Sequence, residues 1–201
     1  MTRAAITFVA ALTTSAALAG PAHAGVLTRS ATDCADATLT QPFKPWLDHS
    51  YYKLVDDFET GSDGWTLTGG AAVVAGNAAQ HVGDAADARS LLLPAGSSAT
   101  SPPVCVGLNE PTLRYFARKN SGLLSTLTVS VQVQLELGVW VTLPIGVDLG
   151  GAWHPSLPSL VVANLLPLLP PDMTAVRFKF APLLGGSWQI DDVYVDPRMS
   201  R

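Results

Sequence analysis

The residues best suited to chemistry fall on alternating positions. From Leu127 to Leu137 every odd position is aliphatic, while the even ones include Gln132, Gln134 and Glu136. Arg114 and Arg118 recur at even spacing in Thr112–Arg118, as do Arg177 and Lys179 in Val176–Phe180. Gln, Glu and Arg together offer the donors and acceptors that a hydroxyl-rich ligand requires. The bland alternative is a solvated sheet face with no ligand. Trp140 adds a flat apolar ring: with Val139, Val141 and Leu143 on the core side, Trp140 and Thr142 point the other way. A Trp on a wet face marks a contact surface, unless an arm or loop covers it.

Catalytic signals are poor. His81 has Asp84 and Asp87 nearby, but the chain has no nucleophile elbow, zinc-binding helix or phosphate loop. His49 and His154 stand alone. Asp56 and Asp57 are adjacent, and neighbours on one strand point to opposite faces, so they make a poor acid–base pair. Two cysteines, Cys34 and Cys105, lack His at metal-ligand spacing. In an exported chain such a pair most simply forms one disulfide.

The elements that must position these groups are strands. Period-two alternation marks Leu127–Leu137, Val176–Phe180 and Trp188–Val195. In the last of these it sets Trp188, Ile190, Asp192 and Tyr194 on one face and Gln189, Asp191, Val193 and Val195 on the other. Shorter candidates are Lys53–Phe58, Trp65–Thr68, Ala71–Val74, Ser90–Leu93, Val104–Gly107, Thr112–Arg118, Val139–Leu143 and Leu160–Ala163. Turn clusters such as Thr60-Gly61-Ser62-Asp63-Gly64, Gly150-Gly151 and Gly185-Gly186 separate them. No ten-residue stretch carries a helical stripe. Strands at this spacing predict an antiparallel sandwich or barrel. Trp65 and Trp188 belong to its core by strand position, and Trp153, in a loop, is placed to plug the sandwich end, with ligand binding as the alternative.

The compartment follows from the N-terminus. Arg3, the apolar run Ala4–Ala19 and Pro21-Ala22-His23-Ala24 make a signal peptide over residues 1–24. The run is shorter than the ~20 residues a membrane span needs. Leu160–Leu169 is interrupted by Pro167 and stopped by Pro170-Pro171, so no span is expected after cleavage. The protein is therefore expected to be secreted, and its Ala-rich, Lys-poor composition fits a GC-rich bacterial source. Hydrophobic residues make 48% of the 201-residue chain, which excludes a disordered protein. A net charge of −4 with no Lys/Arg run argues against a nucleic-acid partner. Residues 25–50 lack periodicity and read as an arm tethered through Cys34. Residues 51–198 form the sandwich.

Two motifs at the ends of this domain read together. The first strand, Val55-Asp56-Asp57-Phe58-Glu59, is followed by Gly64-Trp65, and the last is Trp188-Gln189-Ile190-Asp191-Asp192-Val193-Tyr194-Val195. This pattern resembles the galactose-binding-like jelly roll, the fold of many carbohydrate-binding modules. The likeness covers about residues 54–196, with specific matches at the two ends. The whole chain also resembles small secreted bacterial proteins. The resemblance implies an all-β jelly-roll sandwich whose first and last strands lie close together, with a structural Ca2+ near them. Asp57, Glu59, Asp191 and Asp192 occupy the matching positions. Physically, acids on facing strands repel unless a cation, water or protonation intervenes; otherwise they are solvated or cap turns.

The expected function is a secreted non-catalytic module that binds carbohydrate or cell-envelope glycan through Trp140, Gln132, Gln134, Glu136, Arg114, Arg118 and Arg177. A structural or protein-interaction role at the cell surface is the alternative. A glycan-active hydrolase would need acids that meet across different strands. Oligomeric state is left open.

Overall fold

A computed structural model describes residues 34, 38–107, 110–135, 138–161 and 173–196. The expected signal peptide and Glu136 lie outside the described residues.

Among the described residues, fourteen short strands, numbered in chain order, build two antiparallel sheets. In the first, β14 (Trp188–Asp196) is central. One edge of β14 pairs with β8 (Thr112–Lys119), and the other with β5 (Arg89–Leu93) and β2 (Tyr52–Asp56). β4 (Ala72–Ala75) extends β5, and β1 (Leu39–Thr40) extends β2. β11 (His154–Pro155) and β12 (Ser159–Leu160) lie along β8. In the second sheet, β9 (Thr126–Gln134) lies between β10 (Trp140–Asp148) and β13 (Thr174–Leu183). Beyond β13 come β6 (Ser98–Thr100) and then β3 (Thr66–Thr68), with β7 (Val104–Val106) also on β13. This is the expected all-β jelly-roll sandwich. Among the described residues, no helix is long and apolar enough to cross a membrane.

Alternation explains why these segments pair face to face. Leu127, Val129, Val131 and Val133 of β9 and Val176, Phe178 and Phe180 of β13 are buried, and the intervening residues are not. They meet Trp188, Ile190, Val193 and Val195 of β14 and Leu113, Tyr115 and Ala117 of β8 in one core. Trp65 joins that core as expected, and its indole N–H donates to Asp56 Oδ2 at 2.6 Å.

A second, smaller core lies outside the first sheet. Phe43 packs there among Tyr52, Ala78, Phe116 and Tyr194, with Val82 and Trp153 against them. Phe43 precedes the short 3-10 turn Lys44–Trp46, so the described part of the arm covers this face. Arg114 holds it down: its guanidinium lies 4.0 Å from the Phe43 ring centroid, and Nη1 meets Asp48 Oδ2 at 2.6 Å. The arm is tied at another point by the Cys34–Cys105 disulfide, on β7 of the second sheet.

The last strand corrects one expectation. Strict alternation put Asp192 and Tyr194 beside Trp188 and Ile190, but the pairing register slips between Asp191 and Tyr194. Asp192 adopts φ 50°, a left-handed conformation that Asp tolerates better than most residues. This β-bulge swaps the faces beyond it. Val193 and Val195 enter the main core, and Tyr194 turns out to the second one.

Candidate functional site

The outer face of the second sheet carries the polar positions of three adjacent strands. Gln134 stands opposite Trp140, and Gln132 stands between Thr142 on β10 and Arg177 on β13. Gln132 Nε2 donates to Thr142 Oγ1 at 3.3 Å. Arg177 reaches across β9, and its guanidinium carbon lies 4.2 Å from the Trp140 ring centroid. Lys179 follows Arg177 outward, opposite Ser130 and Thr100. The face continues through Thr128, Ser98, Thr66 and Thr68. Trp140 is half-buried and Leu143 packs inward as the alternation requires, whereas Val139, expected on the core side, precedes β10 and is exposed.

Arg114 and Arg118 do not join this face. Both project from β8 on the outer side of the first sheet, where Phe116 between them enters the second core. Arg114 is only 6% exposed, and its Nε and Nη2 donate to the Ser156 carbonyl at 3.2 and 2.9 Å. Arg118 donates to Gln189 Oε1 at 2.6 Å and lies over Trp153. Alternation identifies a strand's outward side but not the sheet to which the strand belongs, which is why sequence grouped these arginines with Gln132. Trp153 packs against the second core on the outer face of the first sheet, rather than plugging an end of the sandwich. His81 meets Asn77 Nδ2 through Nδ1 at 3.1 Å, while Asp84 and Asp87 accept from backbone N–H groups.

Acids gather where the first and last strands meet. Asp192 is buried, and its Oδ1 has no hydrogen-bond partner. Burial, followed by the charges of Asp87, Asp57 and Glu59, pushes its pKa up to about 7. A Cβ placed on Gly83 would sit 3.2 Å from Asp87 Oδ2 and 3.4 Å from Asp192 Oδ1, so this glycine leaves room over the acids. Asp57 Oδ1 accepts from the Glu59 N–H at 3.1 Å, and Glu59 Oε1 from the Ala88 N–H at 2.7 Å. Asp191 faces elsewhere: its two oxygens accept from the Ala78 and Asp192 N–H groups, and burial pushes its pKa up to about 8. The structure thus gathers Asp57, Glu59 and Asp192, adds Asp87, and turns Asp191 toward the Ala78 loop.

A buried, orphaned carboxylate oxygen among three further acids fits a hard, oxygen-seeking cation by its chemistry. Among the described residues, no three His, Cys, Asp or Glu already stand in a ready-made metal-ligating arrangement. The only sequence signal for Asp87 was its nearness to His81, because its partners are distant in the chain.

No family model matches the sequence, and no curated protein matches it. Solved structures do match. One is the N-terminal family 22 carbohydrate-binding module and GH10 module of Clostridium thermocellum endo-1,4-beta-D-xylanase 10B, complexed with xylohexaose. It has 18% identity and TM-score 0.52, over 73% of this chain and 29% of that one. A second is a tandem of family 22 modules from Paenibacillus barcinonensis, with 12% identity and TM-score 0.50, over 75% of this chain and 47% of that one. The chain thus spans less than half the length of either. The fold is the β-sandwich jelly roll of carbohydrate-binding modules.

Proposed function

We propose that this chain is a secreted, non-catalytic carbohydrate-binding module that takes a glycan on the outer face of the second sheet. The observation that carries this reading is the convergence of Trp140, Arg177, Gln132 and Gln134 on one face. The described part of the arm covers the opposite sheet instead. The indole offers an apolar plate to a pyranose ring, and the amides offer both donors and acceptors to its hydroxyls. The guanidinium–indole contact is worth only about 0.5–1 kcal/mol at an exposed site. A sugar ring can therefore take the guanidinium's place over the indole while Arg177 turns to the hydroxyls. The jelly-roll likeness to a chain of family 22 and GH10 modules complexed with xylohexaose supports the ligand class.

In the same reading, Asp192, Asp57, Glu59 and Asp87 hold a structural Ca2+. If bound, the cation would neutralise a buried acid cluster contributed by the turn after β2, the loop before β5 and β14. Its role would be to hold the sandwich rather than to bind sugar, since Asp192 belongs to the first sheet and the other three acids to loops beside its strands.

A protein partner at the cell surface is the second reading, favoured by one observation. Leu123, Leu124, Leu149 and Leu184 are each more than 70% exposed. They share one end of the sandwich, where Lys119 Nζ donates to the carbonyls of Leu123, Ser125 and Leu149.

The test is retardation of residues 25–201 in native gels cast with plant, fungal or bacterial polysaccharides. Saturable retardation by one glycan class is expected. No retardation by any polymer would move the assignment to the leucine-rich end and a protein partner.

A further inference from the structure

Among the described residues, the charge on the candidate glycan face is segregated from that of the rest of the protein. The chain carries 16 acids against 12 basic residues. Yet among the described residues, which do not include Glu136, none of the outward side chains of β3, β6, β9, β10 and β13 is acidic, and two are cationic. Arg177 and Lys179 occupy successive outward positions of β13, about 7 Å apart along the strand. Their cross-strand neighbours are Gln132, Ser130 and Thr100, all uncharged.

The cations on the opposite sheet are treated differently: Arg118 is held by Gln189 and lies over Trp153. Arg114 is paired with Asp48 at 2.6 Å and buried under the arm. Neither Arg177 nor Lys179 forms an ion pair with a described carboxylate. A neutral polymer laid across this face would strip water from two cations and return no countercharge, a penalty that disfavours binding. A polymer bearing carboxylates supplies that countercharge. The planar fork of Arg177 also matches a carboxylate in bidentate geometry.

We propose that the glycan taken on the Trp140 face carries carboxylates, so that the ligand class is a uronate-bearing polysaccharide with Arg177 and Lys179 as its charge readers. This rests on the carbohydrate-binding reading above. The indole and amides engage sugar rings as in any glycan, and the two cations select among glycans.

The test uses residues 25–201 with hyaluronan and polygalacturonate, each beside its carboxyl-reduced form, and with dextran sulfate as a charged control. The expected result is binding to at least one uronate polymer at least about tenfold tighter than to its reduced form, a gap that narrows as salt rises. Lys179→Gln should shrink that gap without changing the melting temperature, because Lys179 is partly exposed and makes no ion pair with a described carboxylate. Arg177→Gln should shrink it further. Equal binding to native and reduced polymers would overturn the carboxylate assignment and leave the carbohydrate-binding reading standing. Binding to dextran sulfate but to neither uronate polymer would overturn it in favour of sulfated glycans. Absence of binding to these polymers and to the neutral panel alike would overturn both readings.

Discussion

The two outer faces of this sandwich begin from similar sequence patterns and end in opposite states. β8 sets Arg114, Phe116 and Arg118 outward, and β13 sets Arg177 and Lys179 outward. On the first sheet the arm arrives with Phe43, the strand brings Phe116, and Tyr52 and Tyr194 complete an aromatic cluster that seals the face. There the arginines become structural: Arg114 ties down Asp48, and Arg118 lies over Trp153. On the second sheet the outward neighbours are Thr, Ser and Gln, and the single large ring, Trp140, meets a guanidinium rather than a core. The difference teaches that an outward cation is a binding candidate only when no aromatic neighbour recruits a cover.

The comparison can be broken at its covered side first. Phe43→Ala deletes the centre of the second core, where a buried Phe→Ala change costs about 3–5 kcal/mol. A drop of roughly 10 °C in melting temperature is expected, with glycan retardation of the folded fraction unchanged. Cutting the Cys34–Cys105 tether comes next: a Cys34→Ser, Cys105→Ser variant should lose about 2–4 kcal/mol in denaturant titrations.

The acid cluster sharpens the contrast, because a cation held there would stabilise the fold without touching the open face. Adding Ca2+ to one hundred times its dissociation constant should stabilise the protein by about 2.7 kcal/mol. Asp192→Asn, which keeps the shape and tolerates the same φ, should remove that response. An identical melting curve with and without Ca2+ in metal-stripped buffer contradicts the cation site.

The smallest effect concerns His154, whose Nε2 lies 3.1 Å from Asp148 Oδ2. The hydrogen bond to Asp148 raises its pKa above the usual imidazole value, against the opposing effect of burial. Protonated His154 is thus favoured by folding. Its contribution is fully present below the unfolded pKa of about 6.5 and is lost as pH rises through the higher folded value. Melting temperatures of the protein and of His154→Gln should converge as pH rises through that window.

What the sequence disclosed follows from period and composition. Alternation in Leu127–Leu137 and Val176–Phe180 located β9 and β13 and their buried faces, because period two is a local property. The end motifs placed the first and last strands together, and β2 and β14 do pair. Short strands without alternation, such as β1, β6 and β11, left no comparable trace. The bulge at Asp192 was hidden because one residue's φ decides it. Trp140, Gln132, Gln134 and Arg177 could be named from sequence as facing solvent, and the structure brings these four together. Arg114 and Arg118 went astray because strand pairing is a long-range property. Phe116, set outward between them, was the available sign that this face would be covered.

The central claim is that the open face of the second sheet binds glycan. Its most direct test is to measure glycan retardation and melting temperature together for Trp140→Ala and the unaltered protein. The account predicts that retardation is abolished while the melting temperature moves by no more than about 2 °C, since the ring lies outside both cores. Undiminished retardation by the same polymer would contradict it, and would place the binding surface elsewhere on the molecule.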